Sequence, residues 1–225
     1  MSKGRLVTGP ETRANAVGHE PVGGSTRRLL LAGTVAGPLF VVLALAQAVL
    51  REGFDPLRHA VSQLSLGDGG WVQVANFAVT GLLMLVCAIG LRRVLGRGRG
   101  GRWAPVLIAV MGLGFVVAAF LPADPGNGFP PGTGSEASFS VTGVLHLACA
   151  GIAFIALIAA CFVLASRFSR IGWRGWASAG RTSGVLLAIG FAAASSGVVG
   201  GPLAMFVGVV IAWLWVGVSA ARLAR

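Results

Sequence analysis

The chain has 225 residues, of which 55% are hydrophobic and only 11% are charged. Its mean hydropathy of +0.82 leaves too little polar surface for a soluble globular domain of this length. The net charge of +11 would suggest nucleic-acid binding in a soluble protein, but the arginines lie in short segments beside apolar runs, where they act as topology signals and contact anionic lipids. We therefore predict a multi-pass membrane protein whose partners are membrane lipids and not nucleic acid.

Six apolar runs are each long enough to cross a hydrocarbon core of about 30 Å. They predict an all-α fold, a bundle of six transmembrane helices. The predicted spans are residues 29–50, 71–91, 103–123, 141–166, 182–199 and 203–221. Residues 1–28 are predicted to be a disordered basic tail, and residues 222–225 a short C-terminus.

The distribution of charge predicts how the bundle is oriented. Of the 18 basic residues, only Arg51 and Arg58 fall in the loops between spans one and two or between spans three and four. Most of the acidic residues lie in those same loops: Glu52, Asp55, Asp68, Asp124 and Glu136. The positive-inside rule then places both termini in the cytoplasm and these loops outside the plasma membrane.

Small residues recur at spacings that allow close contact between helices. The pairs are Gly33/Gly37, Gly112/Gly114, Gly180/Gly184 and Gly197/Gly201. Such pairs predict a compact bundle and equally allow a homo-oligomer. The three cysteines all fall in apolar runs without a Cys-x-x-Cys pair, so neither a disulfide framework nor a thiolate zinc site is indicated.

One polar stretch, residues 54–70, lies between two apolar runs. Asp55 and Pro56 are typical of a helix start, and Gly67 of a helix end. Between them the apolar residues recur at helical spacing, with polar residues on the other side: Leu57, Ala60, Val61 and Leu64 against Arg58, His59, Ser62 and Ser65. This pattern predicts a short amphipathic helix that lies over the outer end of the bundle.

Further polar residues belong to the same outer end. His146 lies in the fourth span, roughly 7 Å below its outer end by helical rise. A histidine at that depth is costly unless it faces the bundle interior and finds a partner, which makes it a candidate functional residue. We expect one outward-facing pocket, which His59, Ser62, Ser65, Asp68, Gln73, Asn76, Asp124 and His146 could line, with Arg58 as a further ligand contact.

Three functions fit such a pocket. The leading hypothesis is a site for a lipid headgroup or small polar ligand, contacted by Arg58, His59, Asp124 and His146. The second is a metal-dependent hydrolase acting on a lipid, in which His59, Asp124 and His146 hold zinc and a bound water or Asp68 does the chemistry. A serine, histidine and aspartate could also serve as nucleophile, base and orienting group, although no His-Glu-x-x-His or Gly-x-Ser-x-Gly motif is present. The third is a structural or assembly subunit.

The order of these motifs resembles a known family. His59, Ser62 and Ser65 form a His-x-x-Ser-x-x-Ser segment, and Asn76 and Gly81, Pro122 and Asp124, and His146 follow it. Over residues 29–221 this is similar to the bacterial six-span membrane proteins grouped as domain of unknown function 998. The resemblance implies a six-helix membrane protein of actinobacteria and similar organisms, without an assigned activity.

A remoter similarity connects the serine, aspartate and histidine set to the seven-span superfamily of alkaline ceramidases and progestin and adiponectin receptors. That superfamily implies zinc-dependent lipid amidase chemistry. It pairs histidines in its last span, whereas residues 203–221 of this chain contain none.

Overall fold

A computed structural model describes residues 22–136 and 139–225. Its helices are α1 (Gly24–Leu50), α2 (Trp71–Leu95), α3 (Arg99–Phe120), α4 (Val141–Arg170), α5 (Arg174–Ser195) and α6 (Gly201–Leu223). All six are long and apolar enough to cross a membrane. The part of the chain described contains no β-strand, so the predicted all-α bundle of six spans is confirmed. Most of the predicted basic tail, residues 1–21, lies outside the described residues.

Several helices begin before the predicted spans, most of all α5, whereas α3 and α5 end at Phe120 and Ser195, before the predicted ends at residues 123 and 199. Helix α5 begins at Arg174, whereas hydropathy alone places the start of the span at residue 182. Ala177 and Gly180 are buried in that first part, while Arg174 and Arg181 are exposed. A helix can thus continue past the apolar region as long as its charged side chains point away from the bundle.

The helices form a closed ring. Each helix packs against its neighbours in sequence, and α6 returns to pack against α1. We call the end that carries residues 51–70, 121–140 and 196–200 the acidic end, because all five acidic residues of the described chain lie there. The opposite end, with the α2–α3 and α4–α5 connections, is called the arginine end.

Glycines set the distance between neighbouring helices, and one close approach joins α2 to α3. A Cβ atom on Gly81 would lie 2.6 Å from the Gly112 carbonyl oxygen and 2.9 Å from the Val116 amide nitrogen. In the same way, a Cβ on Gly37 would touch Trp213 at 3.4 Å, which joins α1 to α6. These predicted small-residue contacts are used inside one chain; a single chain does not test the predicted homo-oligomer.

The polar stretch at the acidic end does not form the predicted amphipathic helix. It contains a turn at residues 55–59 and a short 3₁₀ helix, Val61–Ser65. The Asp55 carboxylate caps one turn by accepting from the Leu57 amide at 2.9 Å, but the Gln63 side chain accepts from the Ala60 amide at 2.9 Å, a donor that a continuous helix would need. Ala60 is extended (φ −69°, ψ 147°), and this breaks the helix.

Gly81→Ala tests the α2–α3 contact. The added methyl group would meet backbone atoms of α3, which cannot move aside as a flexible side chain can, so we expect a loss of about 1–3 kcal/mol in the free energy of unfolding. The measurement is unfolding in mixed micelles of increasing denaturing detergent, followed by circular dichroism.

The matched control is Gly175→Ala, because a Cβ at Gly175 in α5 would have no neighbour within 4 Å. The control should unfold like the wild-type protein. Equal stability of Gly81→Ala and wild type would contradict the close approach of α2 and α3.

Candidate functional site

His59 joins the two large loops of the acidic end. Its Nδ1 accepts a hydrogen bond from the Asp55 amide at 2.8 Å, so its Nε2 carries the proton and donates to the Asn127 carbonyl oxygen at 3.1 Å. The ring is only 4% exposed and packs against Phe54 and Phe129. Both ring nitrogens are therefore occupied by backbone groups, and His59 acts as a structural link between loops.

Two neighbouring residues complete this link. Asn127 adopts a left-handed conformation (φ 57°), which asparagine tolerates better than most residues, and its side chain donates to the Arg58 carbonyl at 3.1 Å. Arg51, at the end of α1, donates to the carbonyls of Leu64 (3.0 Å) and Leu66 and lies 5.5 Å from the Phe129 ring centroid. The segment between α1 and α2 is thus fixed to both α1 and the second loop.

Asp124 also has a structural role. Its two carboxylate oxygens accept from the Ser140 amide at 2.9 Å and the Ser140 hydroxyl at 2.6 Å, and that hydroxyl caps α4 by accepting from the Gly143 amide at 3.0 Å. A Cβ on Gly143 would overlap the carboxylate. Both carboxylate oxygens of Asp124 are therefore occupied by hydrogen bonds at the start of α4.

A chain of buried polar side chains connects α1 to α2. Gln47 donates to the Gln73 side chain at 2.8 Å, Asn76 donates to that same oxygen and to the Phe40 carbonyl, each at 3.2 Å, and Thr80 donates to Asn76 at 3.3 Å. The Oε1 of Gln47 and the Nε2 of Gln73 are buried without a partner in the described structure. Asn76, predicted to line the pocket, is used instead in contacts between two helices.

His146 differs from these residues in having a nitrogen available. Its Nδ1 lies 2.7 Å from the Leu121 carbonyl oxygen; a carbonyl only accepts, so Nδ1 must donate and the neutral ring keeps a lone pair on Nε2. No hydrogen bond to Nε2 is formed within the described chain. The side chain is 2% exposed and lines a cavity.

That cavity has a volume of about 700 Å³ and lies inside the ring at the acidic end. Its wall is mostly apolar, and six phenylalanines contribute to it: Phe40, Phe77, Phe115, Phe154, Phe191 and Phe206. Residues 57, 58 and 60–63 cover its outer side. This cover is also tied to the α5–α6 turn, because the Gly200 amide donates to the Leu57 carbonyl at 2.7 Å.

The cavity extends to the outer surface of the bundle between α4 and α5. Leu147 and Val199 line it and are 61% and 77% exposed. Ala150 and Gly151 of α4 and Ala194 of α5 also line this seam, and a Cβ on Gly151 would lie 3.9 Å from the Phe191 ring of α5. Toward the arginine end the same two helices close together, since a Cβ on Gly184 would lie 3.0 Å from Phe162.

Of the predicted site residues, only Arg58, Ser62 and His146 line this cavity; His59, Ser65, Asn76 and Asp124 do not. Ser65 turns its hydroxyl onto the Ser62 carbonyl at 2.7 Å. Arg58 is mostly exposed. Its Nε lies 3.8 Å from the Asp55 carboxylate, and the two side chains form an ion pair. The polar part of the lining is therefore the buried His146, with Arg58, Ser62 and Gln63 at the cover, Asn127 of the second loop and Ser195 at the end of α5.

The structure does not bring His59, Asp124 and His146 together as metal ligands. Within residues 22–136 and 139–225, no group of three or more His, Cys, Asp or Glu side chains could hold a metal ion. Nor does an aspartate orient His146, whose Nδ1 is bonded to a backbone carbonyl. Backbone groups occupy both ring nitrogens of His59 and the Nδ1 of His146, and Ser140 occupies both carboxylate oxygens of Asp124.

Sequence reasoning missed Arg51, Gln63, Asn127 and Phe129, which hold the cover in place. The Asn127-Gly128 dipeptide is a recognised turn signal and could have indicated a tight turn in the second loop. Arg51 was noted only as a basic residue on the acidic side. Nothing in the local sequence indicates that the Arg51 side chain reaches back to carbonyl groups more than ten residues away.

Comparison with known proteins identifies the family. The model of the family described as "Protein of unknown function (DUF998)" matches residues 34–222. The chain belongs to this family. No curated protein and no solved structure matches the chain. Membership of DUF998 confirms the resemblance drawn from the order of the motifs, and it leaves the activity to be argued from the site.

His59→Ala tests the link between the loops. The substitution leaves the Asp55 amide and the Asn127 carbonyl without their partner, so we expect backbone amides in residues 54–66 and 124–130 to exchange with deuterium faster, while α2 is unchanged. Hydrogen–deuterium exchange with mass spectrometry measures this peptide by peptide.

His59→Gln is the matched variant, because an amide side chain also offers one donor and one acceptor. It should restore part of the protection. Unchanged exchange in His59→Ala would contradict the role assigned to this histidine.

Proposed function

We propose that this DUF998 protein binds a lipid or lipid-like amphiphile in the cavity at its acidic end. The observation that carries the proposal is the Nε2 of His146, which forms no hydrogen bond within the described chain and belongs to a side chain that lines a cavity walled by phenylalanines. A ligand suited to it combines an apolar chain with a hydroxyl or amide N–H that donates to this nitrogen. Arg58 and Ser62 would contact the remaining polar part of the same headgroup at the cover.

The route of entry supports a membrane lipid as the ligand. The seam between α4 and α5 opens the cavity to the face of the bundle that carries exposed apolar residues such as Ile152 and Ile155. A lipid in the adjoining leaflet could enter sideways, with its chain remaining in apolar surroundings throughout. A freely soluble polar ligand would gain little from six phenylalanines.

Filling the cavity tests this proposal. Ala150 lines the cavity, whereas Ile152, on the same helix, is 58% exposed. We expect Ala150→Trp to lose most of the lipid that remains with the wild-type protein after a detergent wash, and Ile152→Trp to keep it. Lipid extraction and quantitative mass spectrometry, normalised to protein, measures the difference.

His146→Leu adds a second arm, because it removes the acceptor while keeping a side chain of similar size. It should lower retention by about fivefold or more, the effect of losing a buried hydrogen bond. Equal lipid in Ala150→Trp, Ile152→Trp and wild type, all shown to be folded by gel filtration, would contradict the proposal.

We further propose that the protein lies in the plasma membrane with both termini in the cytoplasm. The support is the asymmetry of charge: all acidic residues of the described chain lie at one end, together with only Arg51 and Arg58 among the basic residues. The cavity would then open toward the outer leaflet.

Cysteine labelling tests this orientation. Asp68→Cys places a thiol at the acidic end and Arg97→Cys at the arginine end, both at exposed positions. In intact cells a membrane-impermeant maleimide should label Asp68→Cys and not Arg97→Cys. Labelling of Arg97→Cys alone would reverse the assigned orientation.

A further inference from the structure

A second cleft lies at the arginine end, on the opposite side of the membrane domain from the cavity. It has a volume of about 290 Å³ and is formed by the start of α3 and the end of α4. Its lining combines two arginines, an interfacial tryptophan, small or polar residues and two apolar side chains: Gly100, Trp103, Phe162, Val163, Ser166, Arg167 and Arg170. Nothing in the proposed function of the outer cavity uses these residues.

The two arginines have no counter-charge in the described chain. Every acidic residue of residues 22–136 and 139–225 lies at the acidic end. Neither Arg167 nor Arg170 forms an ion pair or hydrogen bond within those residues, although Arg167 is half-buried. A partly desolvated guanidinium is stabilised by an anion, and the described residues supply none at this end.

The packing of α4 against α3 brings the positive charges of Arg167 and Arg170 to the mouth of the cleft. Arg167 and Arg170 are three residues apart on α4, so their side chains leave the helix on one face. The aliphatic stem of Arg167 packs against Gly100 of α3: a Cβ there would lie 3.0 Å from the Arg167 Cβ and 3.4 Å from its Cδ. The stem is thereby held between two helices while its guanidinium stays available at the mouth of the cleft.

Apart from the two arginines and Ser166, the side chains that line the cleft are apolar. Trp103 is 50% exposed and Phe162 38% exposed, and a tryptophan at a helix end is typical of the boundary between headgroups and acyl chains. Two positive charges above an apolar wall match a phosphate group above acyl chains. A free phosphate ion would make no use of the apolar residues.

We propose that this cleft binds an anionic phospholipid of the leaflet at the arginine end. Arg167 and Arg170 contact its phosphate, Ser166 can donate to a phosphate oxygen, and the upper parts of its chains lie along Trp103 and Phe162. The site is independent of the outer cavity, and either proposal can fail without the other.

The test compares phosphatidylglycerol with phosphatidylcholine of the same chain length, added to detergent-solubilised full-length protein and counted as bound lipid by native mass spectrometry. Wild type should retain phosphatidylglycerol in preference. The double variant Arg167→Gln/Arg170→Gln should weaken this binding at least about tenfold, because it removes the electrostatic attraction of both arginines for the anionic lipid.

The matched control is Arg174→Gln/Arg181→Gln, which removes the same charge at the same end from two exposed positions outside the cleft. It should bind within a factor of about two of wild type. Ser166→Trp is a further variant that fills the cleft and keeps both arginines, and it should also lose the lipid.

Three results would overturn the proposal. One is equal loss in the two double variants, which would indicate diffuse charge attraction in place of a site. Another is wild-type binding without preference for phosphatidylglycerol. The third is displacement of the lipid by glycerol 3-phosphate at the same concentration as the lipid, which would make the headgroup alone the ligand.

Discussion

The outer cavity depends on the link that His59 makes between the two loops of the acidic end. With one nitrogen accepting from the Asp55 amide and the other donating to the Asn127 carbonyl, the ring joins backbone groups 72 residues apart in sequence number. Phe54 and Phe129 exclude water from these bonds, which raises the cost of leaving either group unpaired. Because this link holds the first loop down, residues 57–63 lie over the ring of helices and enclose the space beneath.

Few polar residues are left for a ligand, because most of them form hydrogen bonds to the protein itself. At a membrane boundary each backbone amide and carbonyl outside a helix needs a partner, and side chains supply many of them. Asp124 accepts a hydrogen bond at the start of α4, Arg51 donates to carbonyls of the first loop, and Asn76 donates to a carbonyl of α1. His146 combines a structural bond through Nδ1 with an Nε2 that forms no hydrogen bond within the described chain, and its side chain lines the cavity. The chemistry of the site follows from that difference.

Hydropathy and charge were enough to predict the six helices and the two ends of the bundle, since both properties are summed over many residues. The first loop could not be predicted in the same way. Leu57, Ala60, Val61 and Leu64 have helical spacing, but the Gln63 side chain takes the Ala60 amide, and this local competition outweighs periodicity in so short a segment. His59 therefore lies in the interior, although the pattern placed it on a polar face. Which of the polar residues share a cavity depends on contacts across more than sixty residues, and such contacts leave no local pattern.

Both proposed sites follow from one feature of the chain, the separation of its charges. Within the described residues the acidic side chains lie at one end and the arginines of the cleft, which form no ion pair there, at the other. Each end therefore offers a different surface to its leaflet: a covered, mostly apolar cavity on one side and a basic cleft on the other. The central claim is that the cavity holds a lipid chain. The most direct measurement is an electron cryo-microscopy structure of the protein in lipid nanodiscs, with a bound antibody fragment to aid alignment. We predict elongated density that enters between α4 and α5 and runs past His146 toward Val209. A cavity without such density, or one closed by contact of α4 with α5 along Ala150 and Ala194, would contradict the claim.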